Sequence, residues 1–502
     1  AYIKSSSSVK ATAGDISVSG SDETTIKAEV AAPTLAMPSV SLEAGSNIAV
    51  GISIARNDIN NNLDAFVESA TLTANAGNVD IEATEEASIT ASSTASAITA
   101  TLSGDTSNAF SGAGAAAFNR ILGGARAYGF KSDLTAAGTG KGEVNITTAN
   151  TSTIDAVVGA LAVAVGAGVG DSQGVALGVS IAENEIGWDS SKLGDAERVP
   201  IDVKAHLSNS SVDAGSTFDI TATNKSTVNA VTKATSVAAA LSGGSGVGVS
   251  GGGLHVENTM AASVHAYIDS SEKTQAADDI TISARDESSI MADARGVSVA
   301  AGLGVSTSAG VSVALTLAFN EIDNDIWAYI KNAEDLDSTG GDVKVSAQDS
   351  ATITSKAIAA SVAVSGSGSA AFGVSGGGAR ADNEIGTSVR AYITGSDVAA
   401  AVGDITVKAK SDSTIKAEIL AASGSVAVGA SAAVGASVGA ALAQNLIGTD
   451  SDGVPTGETV SAYIENSSVD AGGDLLLEAD NEQTIDAIVR AGSVAVSAGG
   501  TA

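Results

Sequence analysis

Two kinds of alternation run along this chain and recur at fixed separations. In the first, Ile405, Val407, Ala409, Ile415, Ala417 and Ile419 share one parity, while Thr406, Lys408, Lys410, Asp412, Thr414, Lys416 and Glu418 share the other. A period of two marks a β-strand with one buried face, and the polar Ser411-Asp412-Ser413 predicts a bend within it. In the second, both parities are small. Gly424, Val426, Val428, Ala430, Ala432, Val434, Ala436 and Val438 alternate with Ser423, Ser425, Ala427, Gly429, Ser431, Ala433, Gly435 and Ser437. Val362–Val374 repeats this pattern with Phe372 as its one large residue. Small residues on both parities predict strands covered closely on both sides, or sheets packed with little space between them. A membrane helix is the competing reading of uncharged stretches such as 296–320. The period is wrong for a helix, Ser and Thr are frequent, and the Lys/Arg flanks that set topology are missing. No membrane span is expected.

These alternations belong to a tandem repeat. An Ala-aromatic-aliphatic anchor recurs as Ala1-Tyr2-Ile3, Ala65-Phe66-Val67, Ala266-Tyr267-Ile268, Ala328-Tyr329-Ile330, Ala391-Tyr392-Ile393 and Ala462-Tyr463-Ile464, with weaker copies at Ala127-Tyr128-Gly129 and Ala205-His206-Leu207. The basic period is about 62 residues, within the range of repeat architectures. A strand opening, typically Gly-Asp and a large aliphatic, follows each anchor at Ile16, Val79, Val144, Phe218, Ile280, Val343, Ile405 and Leu475. In every copy a second aliphatic stands 10 residues later, from Ile26 to Ile485. An Asn then follows after 30 residues, or 31 once, at Asn57, Asn119, Asn184, Asn258, Asn320, Asn383 and Asn445.

Length varies in two places only. Asn to the next anchor is 8 residues in five copies but 21 before Ala205 and 17 before Ala462, and the aromatic-to-opening stretch ranges from 12 to 16. A strand cannot absorb one residue without turning its side chains to the wrong face, whereas a loop can. The invariant spacings therefore predict a ladder of stacked backbone. The reading is one continuous array over 1–502, with approximate repeats 1–64, 65–126, 127–204, 205–265, 266–327, 328–390, 391–461 and a partial 462–502. The chain opens without Met inside one repeat and closes inside another, so it is expected to be an excerpt of a longer protein. A right-handed, elongated parallel β-solenoid fits these spacings, and three turns of about 20 residues per repeat would give a rod of roughly 115 Å. Beads on a string is disfavoured, because no Pro-rich or charge-rich linker separates the units and about 60 residues with few rings would bury too little surface alone.

Composition sharpens the picture. Aromatics make up only 3% of the chain, so any core must be thin and built of small aliphatics rather than rings. The formal charge of −32 repels phosphate backbones and anionic lipid, which argues against nucleic-acid and membrane-surface roles. No cysteine is present, so there is no disulfide or thiol chemistry; that is compatible with export.

Candidate chemistry is sparse. The three histidines, His206, His255 and His265, sit in unrelated sequence surroundings, and no nucleophile elbow, phosphate loop or zinc spacing occurs. Asp278-Asp279 and the pair Asp323 and Asp325 could serve a glycosidase or lyase, but Asp278-Asp279 falls where Gly-Asp opens a strand elsewhere and so predicts a turn. Asp323-Asn324-Asp325 offers oxygen ligands of the kind calcium takes, in one repeat only. Otherwise no cofactor is expected. The recurring Asn predicts stacking at a solenoid corner, hydrogen-bonded along the axis and tolerant of left-handed geometry; a metal or glycan ligand is the alternative. In the anchors of Tyr267, Tyr329, Tyr392 and Tyr463, alternation predicts Ala and Ile pointing inward with Tyr covering a sheet face; a sugar-binding strip is the alternative. The inserts Trp188–Pro200, with its charged run Asp195-Ala196-Glu197-Arg198, and Asp450–Thr459, with Pro455, are natural places for a partner contact.

Written out as Val389-Arg390-Ala391-Tyr392-Ile393, Gly403-Asp404-Ile405-Thr406-Val407-Lys408-Ala409, a Val/Ala/Gly/Ser run and Asn383-Glu384-Ile385-Gly386, the unit resembles the repeat arrays of giant bacterial surface and secreted proteins, similar in style to filamentous haemagglutinin-type adhesins. The resemblance covers essentially all 502 residues and is one of repeat style. It implies a β-solenoid, export to the surface or medium, and roles in adhesion, cell-cell contact or an extracellular matrix. The function expected is a non-catalytic structural rod, self-associating along its axis, with cell-surface or glycan contact. The alternatives are a secreted β-helix enzyme acting on acidic polysaccharide and a calcium-dependent glycan-binding module.

Overall fold

The computed structural model describes residues 1–37, 40–138, 142–190, 197–449 and 459–500. They form a parallel β-solenoid without a helix. Four strands make one complete turn. In the fourth turn these are Gly246–Asp269, Thr274–Ala276, Ile280–Asp286 and Ser289–Gly304. Each strand stacks on its equivalent one repeat away, so Asn258 lies beside Asn320 and Ile282 beside Val345. Four parallel sheets result, and the anchor spacings of the sequence are the registers of these ladders.

One repeat is therefore one turn, not three. At about 4.8 Å per rung, eight rungs reach only about 38 Å along the axis, while the 24-residue long strand alone has a contour of about 80 Å. The array is a broad slab. The fourth strand explains the difference: after it the chain reverses over two or three residues and runs back as the first half of the next long strand. In place of short turns around a round core, these two stretches lie face to face as a thin blade.

The two alternations map onto two parts of each turn. In the head, the second half of the long strand, the two short strands and the start of the fourth strand enclose large aliphatics. Val264, Ile268, Ile280, Ile282 and Ile290 are all at most 1% exposed. In the blade the small residues point inward and the valines outward: Ser425 and Ala427 are buried, while Val428, Val434 and Val438 are 51%, 51% and 67% exposed. The walls nearly touch. A Cβ on Gly310 would lie 2.5 Å from the Val364 carbonyl oxygen, and one on Gly377 would lie 2.7 Å from that of Ala422. Inward hydroxyls bridge the gap, Ser111 Oγ donating to the Ala97 carbonyl at 2.6 Å and Ser312 Oγ to that of Ser298 at 2.8 Å. Of the two options left by the sequence, close sheet packing is the one adopted. The 296–320 stretch supplies both walls of the blade, as parts of Ser289–Gly304 and Thr307–Lys331.

The corner into the second sheet lies three residues beyond each aromatic. Ser5, Ser69, Lys131, Asn209, Ser270, Asn332, Gly395 and Asn466 all have φ between 47° and 61°. Each of the first seven donates its N–H to a carbonyl of the next turn, as Ser69 does to Phe130 at 2.9 Å. Left-handed backbone costs an L-residue about 1–2 kcal/mol. Ser69→Gly is accordingly expected to raise stability by about 1 kcal/mol, read as a higher urea midpoint. An unchanged or lower midpoint would refute it.

Candidate functional site: axial ladders and an acidic groove

The seven predicted Asn residues form one continuous ladder. Each amide nitrogen donates to the amide oxygen one turn on, from Asn57 to Asn119 at 2.8 Å through Asn383 to Asn445 at 2.7 Å. The column points inward from the middle of the long strand, where blade meets head. It is not the corner, and its residues lie outside the left-handed set. An amide fits here because it both donates and accepts, so one residue type satisfies itself indefinitely along the axis.

The aromatic anchors form a second ladder. Tyr2, Phe66, Tyr128, His206, Tyr267, Tyr329, Tyr392 and Tyr463 stack with centroids 4.6–5.1 Å apart and interplanar angles of 3–11°. Flanking Ala266 and Ile268 are fully buried, so the rings cover the outer side of the sheet. Each ring face inside the stack is taken by its neighbours, leaving edges and hydroxyls to solvent. Burial pushes the phenols of Tyr267 and Tyr392 up to about 12. Burial also pushes the imidazole of His206 down to about 4, so it sits in the stack as a neutral ring.

Two more ladders were not read from the sequence. The Asp of the Gly-Asp opening accepts the N–H of its counterpart one turn on, from Asp279 to Asp342 at 2.8 Å, Asp342 to Asp404 at 2.9 Å and Asp404 to Asp474 at 2.7 Å. Asp278-Asp279 thus belongs to a turn: Asp278 accepts from Ser216 Oγ at 3.0 Å, and Lys344 pairs with Asp279 at 2.9 Å. Recurrence of Gly-Asp was the available signal.

At the other end of the third sheet, Asp22, Glu85, Asn150, Asn224, Asp286, Asp349, Ser411 and Asn481 stand in register. Asn150 donates to Asn224 at 2.8 Å and Asn224 to Asp286 at 2.6 Å. Ser288 and Asn324 also donate to Asp286, and Ser411, Ser413 and the Ala351 N–H to Asp349. Varied residue types hid this column. Burial raises the carboxyls of both Asp286 and Asp349, the latter to about 7 with the Asp286 charge as the next cause. Glu85, whose Oε2 lacks a partner, is pushed to about 7, mainly by burial. Asp286 and Asp349 are both 0% exposed, so no substrate reaches this pair.

A raised folded-state value means that the proton is held more tightly in the folded chain. The Asp349 contribution is fully present below about pH 4 and is lost as pH rises through about 7. Asp349→Asn, which continues the amide chemistry of Asn224, is expected to flatten the pH dependence between 4 and 7. At pH 8 it should stabilise the fold by on the order of 2 kcal/mol. Melting temperatures of both proteins across that range test this, and an unchanged slope would defeat it.

Outside, where the long strand bends, acids line a shallow groove along the axis. One part, of about 290 Å³, includes Arg56, Asp58, Arg120, Glu183 and Glu185; another, of about 440 Å³, includes His255, Glu257, Glu321, Arg380, Asp382 and Glu384. Burial raises the carboxyls of Glu183 and Glu185, and raises Glu321 to about 7 with help from Glu384 and Asp323. Arginines bridge turns across it: Arg120 meets Asp58 and Asp189, and Arg198 meets Asp323 and Asp325. Arg198 comes from the insert, where Trp188–Asp189 pairs antiparallel with Glu197–Arg198. Asp195 and Ala196 of that charged run, and the insert from Asp450 through Pro455, lie outside the described residues.

Asp323-Asn324-Asp325 does not converge on one point. The acids face outward onto Arg198, while Asn324 points inward to Asp286 and Ser288. Among the described residues no group of three or more His, Asp and Glu side chains is arranged to hold a metal ion. The histidines stand apart in role: His206 in the ring stack, His255 beside Glu257 at 3.3 Å, and His265 stacked on Trp327 at 4.7 Å and pushed by burial to about 3. Compared with models of protein families, with curated proteins and with solved structures, the chain matches none.

Proposed function

We propose that this chain is a segment of the structural rod of an extracellular bacterial fibre, adhesin stalk or matrix protein, non-catalytic and built to be extended along its axis by further repeats. One observation carries the reading: the residue types that recur from repeat to repeat spend their chemistry on the next repeat. The Asn amides donate to one another, the rings stack on one another, and the Gly-Asp carboxylates accept the N–H groups of the next turn. Such an array gains stability from summed nearest-neighbour contacts, so it can be lengthened without a new core. Electron microscopy of the native material is the test. Continuous ribbons of uniform width, with a reflection near 4.8 Å along the axis, are expected; isolated compact particles would end the proposal.

The enzyme reading draws on the acidic groove. Its charge repels an acidic polysaccharide, and several of its carboxylates already pair with arginines from neighbouring turns. Depolymerisation of an acidic polysaccharide by the purified chain, lost in Glu321→Gln, would favour the enzyme instead. A rise in melting temperature on adding calcium would favour the calcium-dependent glycan module.

A further inference from the structure

The outer face of the blade on the long-strand side is corrugated. Four outward columns in register read Ile48, Val50, Ile52, Ile54 in the first long strand and Phe110, Gly112, Gly114, Ala116 in the second. The third reads Val175, Leu177, Val179, Ile181 and the fourth Val249, Gly251, Gly253, His255. The fifth reads Val311, Val313, Leu315, Leu317 and the sixth Val374, Gly376, Gly378, Arg380. In the two middle columns bulky strands thus alternate with Gly-x-Gly strands, giving ridges about 9.6 Å apart with troughs between them. The ridges are open: Val50 and Ile52 are 58% and 64% exposed, and Leu177 and Val313 are 53% and 51%. The troughs are open over four of the six glycines: a Cβ on Gly376 would meet nothing within 4 Å and those on Gly112, Gly114 and Gly253 only a ridge atom at 3.9–4.0 Å, whereas Leu177 and Leu315 lean over Gly251 and Gly378, to within 2.8 and 3.2 Å of a Cβ there. The outer face of the fourth sheet is apolar too, but lacks this alternation.

We propose that this face is an interface with a second copy of the same chain, docked ridge into trough. A partner that fits must carry relief with a period of two solenoid rungs, and this chain carries it. A two-fold axis along the strand direction, placed between the third and fourth long strands, exchanges first with sixth, second with fifth and third with fourth. In the two middle columns every ridge then meets a glycine of the second copy: Leu177 and Val179 lie over Gly251 and Gly253, Val313 and Leu315 over Gly112 and Gly114, and Val50 and Ile52 over Gly376 and Gly378, while in the outer columns side chain meets side chain, Val175 over Val249 and Ile181 over His255. A two-fold axis along the solenoid would instead set ridge on ridge, so the pairing is antiparallel. Over six strands and four columns the patch measures about 25 by 29 Å, a little under the roughly 800 Å² per partner of a standard complex. Two-fold pairing of this kind is closed and lateral, distinct from growth along the axis.

Sedimentation velocity on the 502-residue chain across a concentration series tests this. Wild type is expected to form a discrete dimer. The triple variant Gly114→Leu, Gly253→Leu and Gly376→Leu fills the troughs with apolar side chains where no backbone obstructs, and should weaken pairing by about tenfold or more while keeping the strand spectrum by circular dichroism. Val179→Ser with Leu315→Ser trims the ridges and should weaken it likewise. General stickiness predicts the reverse for the triple variant, because it adds apolar area, and end-to-end contact predicts no change in either. Monomer at all concentrations, pairing as tight or tighter after filling, or partition onto neutral phosphatidylcholine vesicles in place of pairing would each overturn the proposal.

Discussion

Replacing Asn258 by alanine is expected to cost about 3–5 kcal/mol, far more than a side chain of that size usually contributes. Asn258 accepts from Asn184 at 2.8 Å and donates to Asn320 at 2.7 Å, with all three essentially sealed from water. Truncation leaves one donor and one acceptor buried without partners, each costing about 1–3 kcal/mol, and opens a small void. Asn258→Asp should be comparably costly, because a carboxylate accepts from Asn184 but sets an oxygen against the Asn320 amide oxygen. Asn108→Ala, whose outward amide reaches only Ser46 Oγ at 3.3 Å, is the control and should stay within about 0.5 kcal/mol. Urea unfolding followed by circular dichroism separates the three. A loss below about 1 kcal/mol for Asn258→Ala would mean that the ladder is ornamental.

Gly310→Val and Gly376→Val are expected to move stability in opposite directions. Both glycines stand in long strands of the blade, in columns three residues apart and so of opposite parity. Gly310 faces the interior, where an added Cβ would lie 2.5 Å from the Val364 carbonyl oxygen and 3.1 Å from its nitrogen and carbon. The obstacle is the backbone of another sheet, held by hydrogen bonds to the turns on both sides, so it cannot step away. A loss of at least about 3 kcal/mol is expected. Gly376 faces outward with no atom of its own chain within 4 Å of its would-be Cβ, and a β-branched residue there should raise the stability of the unpaired chain, read at concentrations below pairing, by up to about 1 kcal/mol through lower unfolded-state freedom. Equal effects at the two sites would contradict the close approach of the blade walls.

Much of this was legible along the chain. Invariant spacings located the ladders, and parity sorted inward from outward side chains in 405–419 and separated the two faces of 423–438 without telling which of them turns inward. The Asn and aromatic columns were visible because one residue type, or one ring, suffices at every level of a stack. The Asp22-to-Asn481 column was not, since acid, amide and hydroxyl all satisfy the same hydrogen-bonding role and no single letter recurs. The left-handed corner escaped for the same reason, with Ser, Lys, Asn and Gly all occupying it.

What no spacing could state is how many strands close a turn. Period and parity are local properties of the backbone, so repetition, strand identity and burial side follow from the order of residues alone. Whether two small-residue strands wrap a round core or lie flat against each other depends on contacts between walls, and both arrangements share one periodicity. Close approach settled it. Glycine, alanine and serine let two backbones come within reach of a single hydroxyl, turning a repeat expected to coil three times into one broad turn with its valines on the outside.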